Sequence, residues 1–146
     1  MPNPSEFIDP QLSHNFLVEI QGISRGSFHE VTGLDSTVDV IEHREGGWNQ
    51  SPRKLPAQTK HANIVLKWGL NIDRDLIDWH QQIVAGDIQR KDGSIVLLDR
   101  RGGEVARWNF ERAWPTKYTG PTFSAEASEV AMETLELAHE GVRRVS

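Results

Sequence analysis

The chain has no cysteine. Disulfides, thiolate nucleophiles and Cys-ligated metals are therefore excluded. It has no apolar run near the roughly 20 residues that a membrane-spanning helix needs. It has no basic excess either, with a formal net charge of −5. An acidic average surface is a poor partner for nucleic acid. The first residues, MPNPSEFIDPQLSHNF, lack a basic region followed by an apolar core. They do not read as a secretory signal, so the expectation is synthesis in the cytoplasm.

Catalytic and cofactor signatures are missing as well. The histidines stand at positions 14, 29, 43, 61, 80 and 139. No two are three or four apart, and HExxH is absent, so no helical metal pair is possible. Gly46-Gly47 and Gly102-Gly103 are isolated pairs, without the flanking residues of a phosphate-binding loop. Asp73, Asp75 and Asp78 lack the Gly and Glu that a calcium loop requires, and helix capping explains them better. Glu133, Glu136 and Glu140 could include an acid/base pair, but solvated faces are the ordinary explanation. No catalytic residue, cofactor or metal is expected.

What is present is alternation. At 146 residues the chain is one domain with room for a sizeable core. Residues 1–13, rich in proline, read as an extended arm, and residues 14–146 as a single domain. Strand patterns run over Asn15–Gln21, Ser27–Thr32, Thr37–Arg44 and His61–Trp68. Residues Gly46–Lys60 between the last two read as a long loop, too long for a tight hairpin turn. Trp48 and Leu55 give that loop something to bury.

One helix follows Gly69. Leu76, Ile77, His80, Ile83 and Val84 share a face, Asn71 or Asp73 can cap it, and Gly86 can end it. Ser94–Asp99 is apolar on both faces, and Arg100–Gly103 reads as a hairpin turn. In Glu104–Trp114, Ala106, Trp108, Phe110 and Trp114 point one way, and Pro115 to Pro121 mark a bend. Residues Ala127–His139 are ambiguous: composition favours helix, whereas a two-residue period favours strand. The sum is a mostly antiparallel sandwich or barrel with one flanking helix. Such a small sheet must leave edges, and exposed edges polymerise unless blocked. Proline is sparse inside the strands, so the edges are expected to pair with other copies in a ring. Basic pairs at Arg53-Lys54, Arg90-Lys91, Arg100-Arg101 and Arg143-Arg144 suit interfaces between copies better than nucleic acid.

The ordered fragments NFLVEIQG, FHEVTGL, VIEHREGGWN, KLPAQTKHANIVLKWG, DLIDWHQQIVAG, RKDGSIVLLD, VARWNFERAWPTKY and EVAMETLELAHEG resemble the inner tail-tube protein family. Its members build the tubes of contractile phage tails and extracellular contractile injection systems, and are related to the haemolysin-coregulated tube protein of type VI secretion. The likeness spans about Asn15 to Gly141. It departs at Ala57, where many relatives carry glycine.

The resemblance implies two packed antiparallel sheets with a flanking helix, and rings of six copies joined in a continuous inner β-barrel. It implies a strand at Ala127–His139. It also implies that the long loop reaches a neighbouring subunit or ring, making Trp48, Arg53, Lys54 and Leu55 contact residues. The expected partners are other copies of the chain, a sheath protein, baseplate and terminator proteins, and protein or DNA cargo in the lumen. The implied role is structural and non-enzymatic: a stacked tube driven through a target envelope when the sheath contracts. A tube initiator or terminator adaptor, and a small β-barrel enzyme or ligand-binding domain, are the alternatives.

Overall fold

The computed structural model describes residues 16–21, 23–25, 28–43, 52–70, 74–126 and 131–146. The proposed arm, Trp48 and the expected caps Asn71 and Asp73 lie outside them. Ten strands and one helix follow in the order β1 (Phe16–Ile20), β2 (Ile23–Arg25), β3 (Phe28–Thr32), β4 (Ser36–His43), β5 (Arg53–His61), β6 (Ile64–Gly69), α1 (Asp75–Val84), β7 (Lys91–Leu98), β8 (Glu104–Thr119), β9 (Met132–Ala138) and β10 (Gly141–Arg144). Every pairing is antiparallel.

Two sheets face each other and share β8. Its first half pairs with β7 and β10, its second half with β9. The first sheet runs β2-β1-β7-β8-β10, and the second β8-β9-β6-β3. The strand turns the corner at Arg112, which has φ 50. A positive φ is unusual for a side chain with a Cβ, and here it shifts the facing residue. Ala106 and Phe110 point into the core before it, and Ala113 takes that role after it. Trp114 is thereby turned to the outer face, against the sequence expectation. Asp92 Oδ1 accepts from the Arg112 N–H at 2.8 Å, and Glu140 holds its guanidinium at 2.8 Å.

The bend expected at Pro115 is instead continuous strand. Pro115 is buried opposite Leu137, beside an irregularity in the register. Such a break is where a strand tolerates a residue without an N–H.

The core lies between the sheets. Val18, Ile20 and Phe110 from the first sheet meet Ile64, Leu66, Trp68, Leu135 and Leu137 from the second. Alternation on β6 and β9 is strict, so every second residue is buried. Gly93 has no room for a side chain, since a Cβ there would lie 2.4 Å from the Phe110 ring. That ring covers the glycine and fills the gap it leaves. The ambiguous segment is settled as strand over Met132–Ala138. Its two-residue pattern matches a face buried against Trp68, and packing overrides helix propensity.

Helix α1 buries Leu76 and Trp79 and packs along β8. Val84, expected on the apolar face, is 72% exposed. The buried stripe is thus rotated toward Trp79, whose Nε1 donates to the Gln89 carbonyl at 2.8 Å. Arg74 occupies the N-cap position without a side-chain cap bond. Gly86, at φ 95, follows the C-terminus as expected.

The largest correction concerns the expected loop, of which residues 46–51 lie outside the described residues. Arg53–His61 is not loop but strand β5, paired with β4 in a two-stranded sheet of its own. The strand expected at His61–Trp68 is divided, with β5 ending at His61 and β6 beginning at Ile64.

Candidate assembly surface

The β4–β5 ribbon gathers several exposed apolar residues. Val38, Val40, Ile41 and Leu55 are 48%, 60%, 54% and 46% exposed. Ile41 stands opposite Leu55, and Val40 opposite Pro56. Val38 and Val40 share one face by alternation, and Ile41 lies on the other. The ribbon therefore presents apolar side chains on both faces.

Its polar residues are arranged in cross-strand pairs. Lys54 stands opposite Glu42 and Arg53 opposite His43. Lys60 Nζ meets Asp39 at 3.0 Å. A register shift between Val38 and Val40 places one irregularity mid-ribbon. Ala57 lies there within β5, and its φ is not positive. The glycine of relatives is thus not needed here for a left-handed turn.

Of the four expected contact residues, Arg53, Lys54 and Leu55 sit together on β5 and are exposed. Trp48 is outside the described residues. Sequence reading missed the apolar contribution of β4, where Val40 and Ile41 are adjacent. Two neighbouring exposed apolar residues in one strand put apolar surface on both of its faces.

At the ribbon's root, His61 and His139 lie with ring centroids 5.6 Å apart. His139 Nε2 contacts the Ala62 carbonyl at 2.8 Å, and both Nδ1 atoms are buried without a partner. Among the described residues no group of three or more side chains could hold a metal ion. No helix among them is long and apolar enough to cross a membrane.

The buried polar chemistry is internal. Glu133, 1% exposed, accepts from Trp68 Nε1 at 3.2 Å and from the Tyr118 hydroxyl at 2.5 Å. The hydrogen bond to Glu133, with burial and the carboxylate's charge, pushes the Tyr118 hydroxyl up to about 12. His80 lies over Tyr118 with ring centroids 6.2 Å apart. This cluster ties β6, β8, β9 and α1 together. A shallow groove of about 190 Å³ opens between Phe16, Val31, Leu34, Ile95, Leu97 and Trp108. Trp108, expected in the core, is only partly buried at its mouth, with the Arg144 guanidinium 5.6 Å from its ring.

The fold is an antiparallel sandwich with a flanking helix and an exposed, partly apolar ribbon. The T4-like virus tail tube protein family matches residues 12–143, and the chain belongs to it. It is a tail tube protein of the kind found in contractile injection systems. A chain of the sheath–tube complex of an extracellular contractile injection system, PVC, in its extended state is 29% identical. It aligns over 100% of this chain and 99% of its own, with a TM-score of 0.87. A chain from the PVC sheath/tube terminator is 30% identical, covering 95% and 99%, with a TM-score of 0.85. Hcp1 from Flavobacterium johnsoniae shares the fold at 17% identity, covering 89% and 94%, with a TM-score of 0.56. No curated protein matches.

Proposed function

We propose that this chain is the repeating structural subunit of the inner tube of a contractile injection machine. Six copies close into a ring, rings stack, and sheath contraction drives the tube through a target envelope. The six-fold baseplate of the anti-feeding prophage, 28% identical over 95% of this chain, supports that ring order. The chain is made in the cytoplasm and becomes part of a phage-tail-like particle. It catalyses nothing itself. Its partners are its own copies, a sheath protein, baseplate and terminator proteins, and cargo in the lumen.

The observation that carries this reading is the β4–β5 ribbon. Val38, Val40, Ile41 and Leu55 gather exposed apolar side chains on one short ribbon, the kind of surface that marks a protein–protein contact. Exposure on both faces fits a ribbon inserted between neighbours. Arg53, Lys54 and Leu55, with Trp48 beyond the described strand, are the residues that meet another copy.

The test is electron microscopy of purified protein. Stacked rings are expected from the natural chain. Arg53→Glu and Leu55→Ser should shorten or abolish the tubes while the subunit keeps its melting temperature. Tubes of normal length from both variants refute the contact assignment. A single ring per particle would favour the terminator or initiator alternative.

A further inference from the structure

We infer that His61 and His139 form a proton-sensitive latch that fixes the direction of the β4–β5 ribbon, and that charging either imidazole frees it. Among the described elements, β4 and β5 contact chiefly each other. The ribbon's direction is therefore set where it joins the sandwich. It joins at residues 33–35, between β3 and β4, and at residues 62–63, between β5 and β6. The two joints touch backbone to backbone. Gly33 has φ 90, and a Cβ there would collide with the Asn63 carbonyl. His61 ends β5 at this point, and His139 reaches it from the turn between β9 and β10.

The imidazole centroids are 5.6 Å apart, tilted by 54°. His139 Nε2 lies 2.8 Å from the Ala62 carbonyl oxygen. A carbonyl only accepts, so Nε2 carries the hydrogen, and the Nδ1 of the neutral imidazole is bare. The Nδ1 atoms of both His61 and His139 are buried without a hydrogen-bond partner. An added proton on His139 has only Nδ1 to occupy. It places an N–H and a charge where neither an acceptor nor solvent reaches it. His61 Nε2 faces Gly141, where a Cβ would lie 3.9 Å from it. A charge on His61 would face any charge on His139 across the pair, and like charges repel. A charged imidazole regains hydration only by leaving, and His139 leaves only by releasing Ala62. The freed form binds more protons, so the latch holds at neutral pH and is lost as pH falls. Imidazoles ordinarily titrate at about pH 6.5, so mild acid is the trigger.

The charged groups around the pair are engaged elsewhere or face water. Glu140, beside His139, is held by Arg90 at 3.0 Å and by Arg112 at 2.8 Å. Glu136 of β9 accepts from Asn63 Nδ2 at 2.9 Å. From β4, Ser36 stands opposite His61, and Asp35 just before it is exposed. From β8, Glu111 stands opposite Gly141 and is exposed. Lys60, which precedes His61, meets Asp39. None of these carboxylates bonds to either imidazole, so none is placed to offset a charge there. The ribbon carries Arg53, Lys54 and Leu55. If these meet another copy, as in the reading above, then freeing the root also weakens assembly in acid.

The natural chain has no cysteine, so introduced ones can be labelled without background. Gln58→Cys on β5 and Gln82→Cys on α1, both exposed, take nitroxide spin labels. The labelled chain is diluted into excess natural chain, and pulsed electron resonance reads the distance between its two labels. At about pH 8 a single narrow distance is expected, and at about pH 5 that narrow peak should be lost while circular dichroism stays unchanged. The paired substitution His61→Phe and His139→Gln keeps a ring at one position and a donor for the Ala62 carbonyl at the other. Neither replacement can take up a proton, so the peak should stay narrow at both pH values. An equally narrow peak at both pH values in the labelled chain with its histidines overturns the inference. So does the same loss in acid when both histidines are replaced. Micrographs form a separate arm, which rests on the ring reading: tubes should be fewer in acid, and the paired substitution should restore them. Loss of the narrow peak in acid with no tubes at either pH keeps the latch and removes the ring reading.

Discussion

The β4–β5 ribbon and the β6–β9 pair are both antiparallel and similar in length, yet they resolve their apolar residues oppositely. On β6 and β9, alternation places Ile64, Leu66, Leu135 and Leu137 at 0% exposure. On the ribbon, residues of the same types stand half exposed. The difference is not propensity, because both regions are rich in residues that favour strands. It is the availability of a partner. β6 and β9 have a second sheet of their own chain above them. The ribbon pairs only with itself among the described elements. One region is buried within the subunit, and the other is left exposed by it.

Breaking the covered region should cost most. Phe110→Ala removes the ring that fills the space over Gly93 and should destabilise the subunit by about 3–5 kcal/mol. Chemical denaturation measures it, and an unchanged midpoint would mean the ring is not in the core. Next comes the buried carboxylate. Glu133→Leu leaves the Trp68 indole and the Tyr118 hydroxyl without their acceptor, and should cost about 1–3 kcal/mol.

The same cluster has a pH signature. The Tyr118 hydroxyl titrates higher in the folded chain, about 12, than its ordinary value near 10. Between those values the unfolded chain has lost that proton and the folded chain keeps it. The contribution is therefore complete below pH 10 and fades as pH rises toward 12. Tyr118→Phe should lose that alkaline slope, as melting curves between pH 9 and 12 would record (roughly the window in which the two states differ).

The smallest effect on subunit stability belongs to the ribbon. Ile41→Ser and Leu55→Ser should each move it by no more than about 0.5 kcal/mol. Both should nonetheless sharply reduce stacking in micrographs. A large loss of subunit stability from either would show that the ribbon packs on its own chain after all.

Periodicity carried most of the sandwich. The strands around Phe16, Leu66 and Phe110 were legible because one face of each is buried, and burial imposes alternation. The helix was legible from its spacing, though not its rotation: Trp79 turned inward because its indole finds the Gln89 carbonyl. The ribbon's second strand was misread as loop. Arg53–His61 has no buried face to impose a pattern, and its proline and cations resemble those of a surface turn. Three of the four proposed contact residues nevertheless fall together on that strand.

By itself, then, the amino-acid order pointed to a mostly antiparallel β domain with one flanking helix and no thiol, because residue type and period are local facts. It could not decide that Arg112 carries one strand from sheet to sheet, nor that each copy brings four strands on one side and five on the other. Those depend on which strands meet across distances of up to about half the chain. Only the folded arrangement brings Lys67 beside Glu30 and His61 beside His139, and leaves Val40 60% exposed.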